Sequence, residues 1–187
     1  MDAISNAPES IRNAIHTIQF GSTDSGYRSG VTDSAIARLA HACPNLQTAT
    51  FLSATSLTDA SVISLIKHCP YIHTIQITGH DKDTGLIKET CFTDLLAHPL
   101  QARNLVKLYL ADQKLSVKTV VLYSETMSDL EIVEGSTVGN SLAAAEYAGS
   151  DGKTMTTWQG GRIKGRLVDR GVRGLRSLVS GKTWMLA

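Results

Sequence analysis

Hydrophobic positions in this chain follow one pattern twice: helical spacing, a proline stop, then alternation. In the first copy Val31-Thr32-Asp33 leads through Ala35, Ile36, Leu39 and Ala40 to Cys43-Pro44-Asn45-Leu46 and on to Phe51. In the second, Leu57-Thr58-Asp59 leads through Val62, Leu65 and Ile66 to Cys69-Pro70-Tyr71-Ile72 and on to Ile77. The threonines (58 − 32), the cysteines (69 − 43) and the residues after the Cys-Pro pairs (72 − 46) all lie 26 apart. One offset shared by three landmarks marks a stacked repeat.

The residues predict a helix and then a strand in each copy. Threonine is a good N-cap, because its hydroxyl accepts from an orphan amide of the first turn. Asp33 and Asp59 follow it at the positive end of the helix dipole. Apolar residues three and four apart give one buried helical face. Proline cannot continue the helix and restricts the residue before it. The period then becomes two: Leu46-x-x-Ala49-x-Phe51 and Ile72-x-x-Ile75-x-Ile77 point inward, while Thr48, Thr50, Thr74 and Gln76 point outward.

The pattern extends in both directions. Upstream, Ile15-x-x-Ile18-x-Phe20 reads as a strand, separated from Val31 by a Gly/Ser-rich insertion, Gly21 to Gly30. Downstream, Phe92-Thr93-Asp94-Leu95-Leu96 repeats the cap and helix start, and Leu105-x-x-Leu108-x-Leu110 the strand. Thr58 to Thr93 is 35 residues (93 − 58), which places an insertion of about nine, His80 to Glu89, beside the second unit. Leu115-Ser116, Val120, Val121 and Leu130-x-Ile132 suggest one more unit.

A helix followed by L-x-x-L-x-L spacing resembles a leucine-rich repeat. The Thr-Asp opening and helix-closing cysteine over residues 31–77 resemble the cysteine-containing subclass found in F-box substrate receptors. That subclass has a second cysteine where this chain carries Ala54 and His80. The resemblance implies an α/β fold: a right-handed leucine-rich-repeat solenoid of four to five repeats over residues 15–134, within a domain of residues 1–148. Parallel strands are expected near 17–20, 48–51, 74–77 and 107–110. Leu39, Leu46, Leu65, Ile75 and Leu108 should be buried, as should Cys43 and Cys69. It also implies protein–protein interaction, with substrate recognition in an F-box-type, SCF-like ubiquitin ligase pathway. About 14 residues precede the first strand, too few for an F-box, so the chain reads as a fragment of a longer receptor or a relative without the ligase link. A stand-alone interaction scaffold with no ligase role is the alternative.

Composition agrees with a single core. The chain has 187 residues, 42% of them hydrophobic and 5% aromatic, enough for one domain built on Leu, Ile, Val and Ala. No apolar run approaches the roughly 20 residues that span a bilayer, and the N-terminus lacks a signal-peptide pattern. Three cysteines, two at equivalent helix ends, read as core thiols in a reducing compartment, cytoplasmic or nuclear.

Charge divides the chain. Residues 1–150 carry 10 Lys/Arg and 15 Asp/Glu, whereas 151–187 carry 8 and 2. The change follows a short expected helix, Ser141 to Ala148. Gly160-Gly161, Gly165, Gly171 and Gly174 interrupt any amphipathic pattern beyond it. Residues 149–187 are therefore expected to form a basic, mostly disordered tail, the one place where a nucleic-acid contact would fit.

Chemical motifs fail on their own requirements. Gly152-Lys153-Thr154 resembles the end of a phosphate-binding loop, but the opening glycine would fall at Tyr147. Cys69 and His73, with His68 and His41, lack a second ligand pair for zinc, and the cysteines occupy core positions. No G-x-S-x-G elbow activates a serine. The expectation is no enzyme, no cofactor and no metal; the six histidines take surface or cap roles.

A surface remains. Outward strand residues of stacked units line up on one concave sheet face. That row comprises Thr17, Gln19, Thr48, Thr50, Thr74, Gln76, Thr78, Lys107 and Tyr109, with Asp129 and Glu131 if the last unit forms. Tyr109 is the expected anchor for a protein partner, a ubiquitination substrate or scaffold component. The two insertions are further candidates.

Overall fold

The computed structural model describes residues 2–21, 29–80, 83–98, 100–113, 115–136, 153–169 and 176–177. Two short helices, α1 (Asp2–Ser5) and α2 (Glu9–Asn13), precede strand β1 (Thr17–Phe20). Helices and strands then alternate: α3 (Asp33–Ala42), β2 (Thr48–Phe51), α4 (Asp59–His68), β3 (Thr74–Thr78), α5 (Thr90–Ala97), β4 (Lys107–Ala111), α6 (Val117–Thr126) and β5 (Glu131–Ser136). Strands β6 (Lys153–Gln159), β7 (Arg162–Asp169) and β8 (Arg176–Ser177) follow. All eight lie in one sheet in sequence order.

From β1 to β5 every neighbouring pair is parallel. Parallel neighbours need a crossover, and a helix supplies each described crossover here. The result is an α/β fold whose helices and parallel strands are compatible with a solenoid-like arrangement. The expected strands fall where the alternation placed them, and a fifth parallel strand, β5, forms beside β4.

The register stacks like residues in columns. Ala49, Ile75, Leu108 and Ile132 form one column, and Phe51, Ile77 and Leu110 another. Their side chains are buried against Ile36, Leu39, Val62, Leu65, Phe92, Leu95 and Val120 from the helices. Cys43, Cys69 and Cys91 are buried free thiols. The Cys69 thiol donates to the Ala40 and Cys43 carbonyls at 3.7 and 3.6 Å at the end of α3, where the Ala40 carbonyl has lost its intrahelical donor to Pro44.

Capping is where the structure adds most. Thr32 and Thr58 cap α3 and α4 as expected, with each hydroxyl accepting from a first-turn amide. The acid behind each threonine, however, reaches into the next unit. Asp33 accepts from the Thr58 amide at 2.9 Å, the Thr58 hydroxyl at 2.8 Å and the Ser61 hydroxyl. Asp59 accepts from the Lys88 amide at 2.8 Å. Glu89 accepts from the Ser116 and Thr119 hydroxyls at 2.9 and 2.7 Å, and these bonds hold its carboxyl below the usual range. Three successive helix starts are thus tied to the helix before them by a carboxylate. At the other end Asn45 donates to the Asn13 carbonyl at 2.9 Å, and Asn104 to the Pro70 carbonyl at 2.7 Å.

Two expectations change. The third helix does not start at Thr93: α5 begins at Thr90 with Glu89 at its cap position, and Thr93 lies one turn inside. Burial of Cys91, Phe92 and Leu95 sets that start, because the earlier turn carries the apolar face. The second change concerns the stretch expected to lack structure. Within it β6 pairs antiparallel with β5 and β7 with β6. The β6–β7 turn is Gly160-Gly161, both with positive φ (57° and 70°), the two-residue hairpin geometry that glycine favours. The expected helix Ser141–Ala148 and most of the Gly21–Gly30 insertion lie outside the described residues.

Leu65→Ala should lower stability by about 2–5 kcal/mol, the usual cost of truncating a buried leucine. Asp33→Ala should cost about 1–2 kcal/mol, because it removes the tie to Thr58 and Ser61 while touching no apolar contact. Urea unfolding of both variants checks this; an unchanged midpoint for Asp33→Ala would show that the carboxylate tie contributes nothing.

Candidate interaction face

Helices cover one side of the sheet; the other side carries the row expected from the alternation. Thr17, Thr48, Thr74, Lys107 and Glu131 align across β1 to β5, and Gln19, Thr50, Gln76, Tyr109 and Val133 form the next row. Thr17 and Gln19 are exposed, and Thr48, Thr50, Thr74, Gln76 and Lys107 are half-buried. Pleating explains the placement, since each outward residue is flanked by Ala49, Ile75 or Leu108 held in the core. The face is a ladder of hydroxyls and amides that can donate and accept.

Two expected members differ. Thr78 is buried, and its hydroxyl accepts from the Ser53 amide at 3.1 Å. It stands at the rim of the sheet, where the backbone turns through Ser53 at φ 52° and presents that amide. Tyr109 projects on the expected side but is not a free anchor. Its hydroxyl donates to Met155 Sδ on β6 at 3.1 Å, and burial, reinforced by Asp112, pushes its pKa up to about 12. Asp129 is exposed ahead of β5, and its carbonyl accepts from the Gln159 side chain.

The antiparallel strands enlarge this face. Cross-strand partners share a side. Val133 is opposite Thr157, Gly135 opposite Met155, and Gln159 opposite Arg162. At this end Lys107 and Lys164 each approach one oxygen of Glu131, both at 3.3 Å. The Gly-Gly turn flanked by Thr-Trp-Gln and Arg-Ile is the sequence signal that identifies this hairpin.

A second polar feature lies on the covered side. Glu134 continues the column of Phe51, Ile77 and Leu110, so a carboxyl occupies an apolar position. It is buried opposite Thr156, which is also buried. Burial pushes its pKa up, and the nearby Trp158 indole offsets part of that. The indole N–H itself finds no acceptor of good geometry. Single-strand periodicity through Ile132 gives no sign of this residue's burial, which comes from β6 folding alongside.

His41 and His68 lie in the last turns of α3 and α4 with ring centroids 3.6 Å apart. Burial, His41 and Lys67 together depress the His68 pKa. Burial pushes the Cys69 thiol up to about 12, and Cys43 lies nearby; burial followed by the Asp59 charge also raises Cys91. Such thiols are poor nucleophiles at neutral pH. Among the described residues no three His, Cys, Asp or Glu side chains converge to hold a metal ion. No described helix is long and apolar enough to cross a membrane.

In comparisons with known proteins, no family model matches the chain and no curated protein is significantly similar to it.

The Glu134 carboxyl gives a signed pH prediction. Below the ordinary glutamate pKa both folded and unfolded chains are protonated at this position. As pH rises, the unfolded chain ionises first, so the fold loses stability up to the raised native pKa and then holds constant. Glu134→Gln should therefore raise the urea midpoint at pH 7 and leave it nearly unchanged at about pH 3.5. An equal shift at both pH values would mean that packing, not ionisation, limits the site.

Proposed function

We propose that this chain is a protein-interaction module of the leucine-rich-repeat type, with four to five repeats, that binds its partner on the open sheet face. The observation that carries the reading is the ladder itself. Thr48, Thr50, Thr74 and Gln76 stand in register on a sheet whose opposite side is filled by helices. Outward polar residues held on a rigid sheet suit hydrogen-bonded recognition of another chain. The repeat class and the link to an F-box-type ubiquitin ligase rest on the Thr-Asp and Cys-Pro resemblance, and a cytoplasmic or nuclear location rests on the reading of the cysteines as reduced core thiols. A scaffold without the ligase link uses the same face.

Substitution of the ladder tests this. Tagged full-length gene product is purified from cells as wild type and as Thr50→Glu with Gln76→Glu, two changes outside the core. The expected result is a protein retained by the wild type and reduced at least fivefold by the variant, about 1 kcal/mol of binding. Cullin-ligase components among the retained proteins would favour the substrate-receptor role, and a partner set without them the scaffold role. Identical partners for both chains would overturn the reading.

A further inference from the structure

Two stretches far apart in the sequence meet on the open face. Lys107 comes from β4, whereas Lys164 and Arg162 come from β7, inside the segment whose composition suggested a disordered tail. Lys107 and Lys164 flank Glu131 at 3.3 Å each, and Arg162 shares their side through its register with Gln159. Two ammoniums thus meet at one carboxylate, and a guanidinium lies on the same side of the sheet. The ammonium-bearing side chains of Lys107 and Lys164 keep 42% and 51% of their surface, whereas Glu131 keeps 19%. The two ammoniums are thus more accessible than the carboxylate between them, and each has donors beyond the one aimed at Glu131. The remainder of the face, Thr48, Thr50, Thr74 and Gln76, is uncharged.

Resting on the interaction reading above, we infer that this basic corner receives the carboxylate of an acidic side chain from an extended polypeptide segment lying across the strands. Charge complementarity selects the occupant: an incoming carboxylate accepts from the outward donors of the two lysines that flank Glu131, and the neutral ladder takes the backbone and polar groups beside it. A nucleic acid fits less well. It needs a continuous track of cations and exposed aromatic rings to stack on, whereas here a carboxylate stands in the middle of the cations and Tyr109 is covered by β6. From β2 to β7 the face crosses five strand gaps of about 4.8 Å, roughly 24 Å, the length of about seven extended residues.

The test uses the full chain and a phage-displayed library of random heptapeptides. Selected peptides should carry Asp or Glu at one dominant position. Their synthetic versions should bind Lys107→Glu with Lys164→Glu about tenfold more weakly. Glu131→Gln, which removes the internal competitor, should bind them more tightly, and added salt should weaken binding to the wild type. Thermal midpoints matching the wild type show that these surface variants remain folded. Selected peptides without acidic enrichment that lose affinity to Thr50→Glu with Gln76→Glu would overturn the basic corner and leave the open-face reading standing. Peptides indifferent to both pairs of substitutions would overturn both. Tighter binding of a 20-nucleotide polyuridine probe, lost in the lysine pair, would assign the corner to nucleic acid and also overturn the inference.

Discussion

A helix–strand unit of this size cannot bury its own apolar face, and that constraint governs the rest of the molecule. Leu39 and Phe51 in one unit, or Leu65 and Ile77 in the next, leave water only when a neighbouring unit covers them. Stacking therefore comes with the fold, and the register follows, since a one-residue slip would turn Ala49, Ile75 and Leu108 outward. Polar ties complete the join. The carboxylates of Asp33, Asp59 and Glu89 each serve the helix start that follows, and the Asn45 and Asn104 amides hold the turns behind. Buried backbone groups at helix ends need partners, and here the adjacent unit supplies several of them.

The sheet changes character after β5. Parallel strands demand a crossover, but antiparallel ones can be joined by two residues, as Gly160-Gly161 joins β6 to β7. The hairpin packs on α6, with the Gly161 amide donating to Ser124 and Trp158 buried beside Ile132. The cost of this arrangement is visible in the Glu134 column, where a carboxyl and an indole N–H replace hydrocarbon. A carboxyl in that setting resists ionisation, so this end of the sheet carries a dependence on pH that the β1–β4 part lacks in its core columns.

The open face draws its two kinds of chemistry from different sources. Its neutral ladder comes from the outward positions of the stacked units. Its positive corner arises only where β4 and β7 approach Glu131 from opposite sides. Tyr109, placed between them, is used internally: its contact with Met155 fastens the hairpin to the parallel sheet.

The sequence alone placed strands β1 to β4, suggested β5, and indicated the side on which the polar ladder stands. Helix and strand periods are local properties, and the 26-residue offset from Thr32 to Thr58 makes successive units equivalent. Thr48, Thr50, Thr74, Gln76 and Lys107 were legible on that basis. The tertiary structure decided what depends on neighbours. The start of α5 at Thr90 followed burial of Cys91 and Phe92 rather than the Thr93-Asp94 match. Thr78 was turned to the Ser53 amide, Tyr109 was covered by Met155, and Glu134 was enclosed by β6, whose facing residue Thr156 lies 22 positions beyond it (156 − 134). The basic corner belongs to the same class: Lys107 and Lys164 are unremarkable where each stands in the chain. Only the folding of β7 onto the sheet brings their charges to one carboxylate, because electrostatic interaction depends on distance in space and not on distance along the chain.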